Sequence, residues 1–219
     1  MVFTDRVDEV TVNVAGAHLR GSVAIPGHAD GLVVFAHGSG SGRRSPRNRF
    51  VAAALNRAGL ATVLTDLLTS REEQNRASVF DIELLAARLT GITDWLRQQP
   101  ATSTLPVGYF GASTGAAAAL WAAAGGHSPV TAIVSRGGRP DLAGPRLSSV
   151  HASVLLIVGG ADTTVLGLND AAQQLLTCEN RLVVVPGATH LFEEPGALEQ
   201  VSKLAGDWFT DHFKDPGAR

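Results

Sequence analysis

Val107-Gly108-Tyr109-Phe110-Gly111-Ala112-Ser113-Thr114-Gly115 joins a short apolar run to an alanine-rich segment through a G-x-S-x-G turn. The residues before the turn fit a buried strand, and residues 114–125 fit a helix. A strand–serine–helix turn of this kind forces the hydroxyl out above the sheet edge, and small residues on either side avoid a clash. The helix N-terminus beneath the serine also favours negative charge. A serine that merely capped the helix would leave both glycines unexplained, so Ser113 is a candidate nucleophile.

Similar apolar runs lie on both sides, at 32–36, 60–65, 132–134, 154–158 and 182–185, and each suits a strand covered on both faces. Ahead of them Val10, Val12 and Val14 alternate, and Leu19, Val23 and Ile25 follow the Ala15-Gly16-Ala17 turn, as in a half-buried hairpin. Helical segments separate the runs. Ser45-Pro46 opens one that Gly59 stops. Ile82, Leu85, Ala86, Leu89, Ile92 and Leu96 recur at helical spacing before Pro100, and residues 170–176 and 198–213 complete the set. This alternation predicts a single α/β domain over 1–219, with a mostly parallel twisted sheet of about eight strands and helices on both faces. Residues 1–31 supply the N-terminal hairpin and 215–219 a polar tail.

Composition narrows the function classes. The 219 residues are 45% hydrophobic and 17% charged, with a formal net charge of −2. A chain of this kind can bury a large core and has no general field for nucleic acid or an anionic membrane. The single cysteine, Cys178, cannot form an internal disulfide. The acidic N-terminus lacks the pattern of a signal peptide, and the alanine-rich helix is too short to span a bilayer. The expectation is a cytoplasmic protein acting on a small molecule, with neither nucleic acid nor membrane as partner. There is no HExxH, paired cysteine or acidic cluster of metal-site type, so neither metal nor cofactor is expected.

A serine hydroxyl needs a base, and a base needs a carboxylate to fix its tautomer. Of seven histidines, His190 follows the last apolar run most closely, in Pro186-Gly187-Ala188-Thr189-His190. His18, His28, His127, His151 and His212 read as surface residues, and His37 as a buried loop support. Asp162 lies just past the 154–158 run, in Gly159-Gly160-Ala161-Asp162. Ser113, Asp162 and His190 thus occur in the chain order of an α/β-hydrolase triad, each after a different strand. Asp66 and Asp141 are the rival carboxylates and read better as structural. An oxyanion needs two N–H donors aimed at one point. Thr114 supplies one from its backbone, and the other is assigned to Ser39 in Ala36-His37-Gly38-Ser39-Gly40, with Gly40 as the alternative.

With these residues in place, the chain resembles the small dienelactone-hydrolase-like branch of the α/β-hydrolase superfamily, from Val33 through the C-terminal helix. The resemblance implies an α/β-hydrolase fold and ester hydrolysis. Dienelactone hydrolase itself carries a cysteine nucleophile, whereas Ser113 stands at the matching position and points to a serine esterase. The 136–150 connection is too short for a substantial lid, so the site should be open and suited to short acyl groups.

Sixteen arginines against two lysines set a further pattern. Arg43, Arg44, Arg47 and Arg49 crowd after the oxyanion loop, and Arg136 and Arg139 flank the glycines that follow the sixth strand. Gly40, Arg44, Arg136 and Arg139 are candidate contacts for a substrate carboxylate or phosphate. Gly38 to Ser45 mimics a phosphate-binding loop, but His37, Arg43 and Arg44 stand where that motif demands Gly, Lys and Ser or Thr. The function expected is a serine hydrolase cleaving carboxylic esters through an acyl-enzyme. A thioesterase or acyltransferase with the same triad and a non-catalytic ligand-binding member are the alternatives.

Overall fold

A computed structural model describes residues 7–125 and 128–214. His127 and the expected 215–219 tail lie outside the described residues. Within them β1 (Val7–Val14) and β2 (Ala17–Ala24) form the expected antiparallel hairpin. Ala15 and Gly16 both take positive φ in its turn (48° and 81°), the two-residue geometry whose twist matches the flanking strands. The six remaining strands, β3 (Leu32–Ala36), β4 (Ala61–Thr65), β5 (Val107–Ala112), β6 (Val130–Arg136), β7 (Ser153–Gly159) and β8 (Asn180–Val185), are parallel to one another. The order is β1-β2-β4-β3-β5-β6-β7-β8, with β2 antiparallel to β4.

Alternate residues of the central parallel strands feed two cores, while β1 and β2 feed only one of them. Val34 and Tyr109 face α3 (Ile82–Arg97) and α4 (Thr114–Ala123). Val33, Phe35 and Phe110 face α1 (Pro46–Arg57) and α6 (Ala197–Phe213). The Phe35 and Phe110 rings meet at 4.8 Å between centroids, and burying each contributes roughly 1.5–3 kcal/mol. Short helical turns at 72–74 and at α2 (Arg76–Val79) precede α3.

Three expectations are corrected. β8 is the sheet edge and only partly buried, with Val184 40% exposed, because no further strand among the described residues pairs with it. The helix expected at 170–176 is α5 (Thr163–Gln173); Thr163, Thr164 and Val165 disguise its first turn as extended chain. His212 is mostly buried on α6, its ring 4.2 Å from that of Trp208. The 136–150 connection holds 3₁₀ turns kinked at Gly144 (φ 50°) and adds no lid.

The chain builds β3 and β4 outward in one direction and β5 to β8 in the other. The order therefore reverses between β3 and β5, and a crevice opens there at the carboxyl ends of the strands. The loop after β3 carries Ser39, and the turn after β5 carries Ser113.

Candidate active site

Ser113 sits between β5 and α4 with φ 51° and ψ −122°, a conformation that a non-glycine residue holds only where its surroundings enforce it. The two glycines show how. A Cβ on Gly111 would lie 2.4 Å from Cα of Ala116, and one on Gly115 would lie 2.1 Å from the carbonyl oxygen of Ala36. Only glycine lets α4 start this close to both strands. The Ser113 N–H donates to the carbonyl of Arg136 at 3.3 Å, and its own carbonyl accepts the N–H of Arg139 at 3.1 Å. The Ser113 hydroxyl has no hydrogen-bond partner among the described residues.

His190 lies in the loop after β8, and its Nδ1 is 2.7 Å from Oδ2 of Asp162. Asp162 occupies the N-cap position of α5 yet makes no capping bond, its carboxylate being turned to the imidazole instead. The loops that carry the pair are stitched together: Gly160 N–H donates to Val185 O at 2.8 Å and Ala161 N–H to Ala188 O at 2.9 Å. The loop after β6 then ties the imidazole to the serine. A Cβ on Gly137 would come within 3.5 Å of the His190 ring, while its neighbour Arg136 holds the Ser113 amide. Asp162 and His190 are therefore paired, and Ser113 lies at the same carboxyl end of the sheet, with the loop after β6 between them.

Both rival carboxylates are engaged elsewhere. Asp66 accepts the Arg43 N–H at 2.8 Å, and Asp141 forms a two-pronged pair with Arg139 at 2.9 and 2.7 Å. His37 is 6% exposed; its Nε2 accepts the Leu67 N–H at 3.0 Å, so Nδ1 carries the proton and donates to Gly38 O at 3.0 Å. Both nitrogens are thus spent on the loop.

The Ser39 N–H donates to Oγ1 of Thr114 at 2.9 Å. Sequence reasoning gave Thr114 only its backbone; the side chain has no sequence signal because its partner lies 75 residues away. Ser39, Gly40, Arg44 and Thr114 line one cavity of about 1050 Å³ beside the oxyanion loop. Arg44 is exposed, Arg139 is held by Asp141, and Arg136 is 8% exposed at the exit of β6. Loss of hydration pushes the Arg136 pKa down to about 10, with the like charge of Arg47 adding to it. Among the described residues no group of three or more His, Cys, Asp or Glu side chains could hold a metal ion, and no helix is long and apolar enough to cross a membrane.

The dienelactone hydrolase of Anabaena variabilis is 55% identical, with a TM-score of 0.91 over 94% of this chain and 98% of that one. The chain belongs to the dienelactone-hydrolase-like α/β hydrolases. Est1E of Butyrivibrio proteoclasticus shares this fold at 14% identity, with a TM-score of 0.80 over 94% of this chain and 99% of that one. A Mycobacterium tuberculosis protein provisionally named a phosphoribosyl transferase is 61% identical over 212 residues, which cover 97% of this chain and 48% of that protein. The chain thus spans about half the length of the curated relatives it matches first. No family model matches it.

Proposed function

We propose that this α/β hydrolase is a serine esterase that cleaves small carboxylic esters through an acyl-enzyme. The observation that carries the proposal is the 2.7 Å pairing of His190 Nδ1 with Asp162, at the same sheet edge as the strained Ser113 turn. Asp162 keeps the proton on Nδ1, which leaves Nε2 free to take the Ser113 proton as the hydroxyl attacks the ester carbonyl. The tetrahedral oxyanion is met by the Thr114 N–H, and by the Ser39 N–H acting through the Thr114 hydroxyl. His190 then returns its proton to the departing alcohol, and water releases the acid by the same steps.

Turnover of p-nitrophenyl acetate and stoichiometric labelling by a fluorophosphonate, both lost in Ser113→Ala, are the expected results. A folded wild-type protein that neither labels nor turns over would sink the proposal. The name of the mycobacterial relatives belongs to chains about twice as long. For this chain, ester hydrolysis without phosphoribosyl transfer is the expected outcome.

A further inference from the structure

Asn169 is fully buried on α5, and its side-chain amide reaches across to another element. Nδ2 donates to the Val165 carbonyl at 2.8 Å, one turn back in the same helix, and to the Gly138 carbonyl at 2.9 Å, in the loop after β6. Both neighbours are carbonyl oxygens, which fixes the amide with its NH2 group towards them. Oδ1 is left buried without a partner. An orphaned buried acceptor is costly, and a leucine would fill a comparable volume without one. The Val165 carbonyl belongs to the helical ladder of α5, so what the side chain adds is the tie to Gly138.

Gly138 lies in the middle of a brace on the candidate nucleophile. At one end the Arg136 carbonyl accepts the Ser113 N–H at 3.3 Å, and at the other the Arg139 N–H donates to the Ser113 carbonyl at 3.1 Å. Between them the Gly137 N–H donates to Ile157 O of β7 at 2.8 Å, and the Gly137 backbone passes close to the His190 ring. Consecutive residues 136–139 thus grip Ser113 through both its N–H and its carbonyl. Asn169 fixes their centre from the helix whose N-cap position Asp162 occupies. The far side of the loop is closed as well: a Cβ on Gly138 would lie 2.0 Å from Ser135 Oγ and 2.7 Å from Cβ of Ala116.

We propose that Asn169 is a positioning residue for the reaction at Ser113: through Gly138 it holds the 136–139 loop, and with it the Ser113 backbone, against the Asp162–His190 pair. This rests on the esterase reading of Ser113. Asn169 acts on the backbone that carries the Ser113 hydroxyl and touches none of the reacting atoms. The positive φ of Ser113 persists only while its surroundings enforce it. A nucleophile that drifts by a fraction of an ångström loses much of the advantage of a prealigned base.

Asn169→Leu removes both donors and the orphaned acceptor at similar volume. Counted per site titrated with a fluorophosphonate, its labelling rate and its kcat on p-nitrophenyl acetate should each fall about tenfold to a hundredfold. The end-point of labelling should stay stoichiometric, because the fold survives. A residue that only stabilised the fold would lower the thermal midpoint or the number of titratable sites and leave the rate per site alone. That result overturns the proposal.

Asn169→Asp supplies a second measurement and covers the case in which the leucine variant does not fold. A protonated carboxyl there still donates to the Gly138 carbonyl, whereas a carboxylate cannot, and burial keeps the proton on to higher pH than usual. The ratio of variant to wild-type labelling rate should therefore be near one at about pH 6 and fall by about fivefold or more towards pH 9, a limb absent from the ratio for Asn169→Leu. A ratio that stays flat across that range, or failure of both variants to fold, overturns the positioning role and leaves the esterase reading standing. Absence of Ser113-dependent labelling and turnover in the wild type overturns the esterase reading instead.

Discussion

The amide of Ser39 is spent on the hydroxyl of Thr114, 2.9 Å away, at the residue that follows the candidate nucleophile. An N–H donated to a hydroxyl oxygen strengthens that hydroxyl as a donor in its turn, because linked hydrogen bonds polarise one another. Thr114→Val keeps the shape and removes the relay. On the scale of a lost oxyanion donor, kcat should fall about a hundredfold with KM little changed. Thr114→Ser should stay within a few-fold of the wild type. A rise in kcat for the valine variant would mean that the hydroxyl competes with the oxyanion for Ser39.

Asp162→Asn tests the pairing with His190. The asparagine amide no longer favours the tautomer that leaves Nε2 free, so kcat should fall by about a thousandfold or more. The carboxylate makes no capping bond to α5, and the thermal midpoint should move little. A variant with near-wild-type turnover would remove Asp162 from the triad.

Packing at the nucleophile turn makes Gly115 indispensable. Gly115→Ala would drive Cβ to 2.1 Å from the carbonyl oxygen of Ala36, a backbone atom that cannot yield alone. Overpacking of this kind costs about 3 kcal/mol, or about 10 °C in a domain of this size. Gly40→Ala is the control: its φ is 69°, but nothing lies within 4 Å of the added methyl, so about 1 kcal/mol is expected. Thermal unfolding of the two variants should separate them clearly.

Glu72 gives the fold a dependence on acid. The Thr69 N–H donates to Oε2 at 2.8 Å, and with Thr69 Oγ1 and Arg88 this holds the Glu72 carboxyl below its ordinary value despite some desolvation. A pKa lowered on folding stabilises the native state above the unfolded value and loses that contribution as pH falls through the folded one. Between pH 5 and pH 3 the wild type should therefore lose more urea resistance than Glu72→Gln. Equal losses would show that Glu72 carries none of the dependence.

An open site without a lid offers little apolar wall to a long chain. Ester hydrolysis should be fastest for acetyl to butyryl groups and fall for longer ones. Activity that rises to dodecanoyl or beyond would contradict the expectation of a shallow site.

Legibility in the sequence followed the range of the interaction. Periodicity located the buried strands and α3, because burial repeats every two or every few residues along one segment. It failed for the start of α5, where Thr163, Thr164 and Val165 favour extended chain locally and the sheet overrules them. It also failed for β8, since a run of four apolar residues does not say whether it has a neighbour on each side. Ser113, Asp162 and His190 stood out as candidates because each stands just past an apolar run, with tight glycine turns as punctuation.

The sequence by itself determined the α/β alternation, the strand–serine–helix turn and the chain order of its candidate partners, all of which are written in neighbouring residues. Only the tertiary structure decided which groups share a bond or lack one. The reach of Ser39 to Thr114 spans 75 positions, and the separation of Asp66 and Asp141 from His190 depends on where other side chains lie. Arg136, whose side chain has no hydrogen-bond or ion-pair partner among the described residues, is a further case. Whether a buried charge has found its counter-charge is a property of every element packed around it, and no single stretch of chain contains that information.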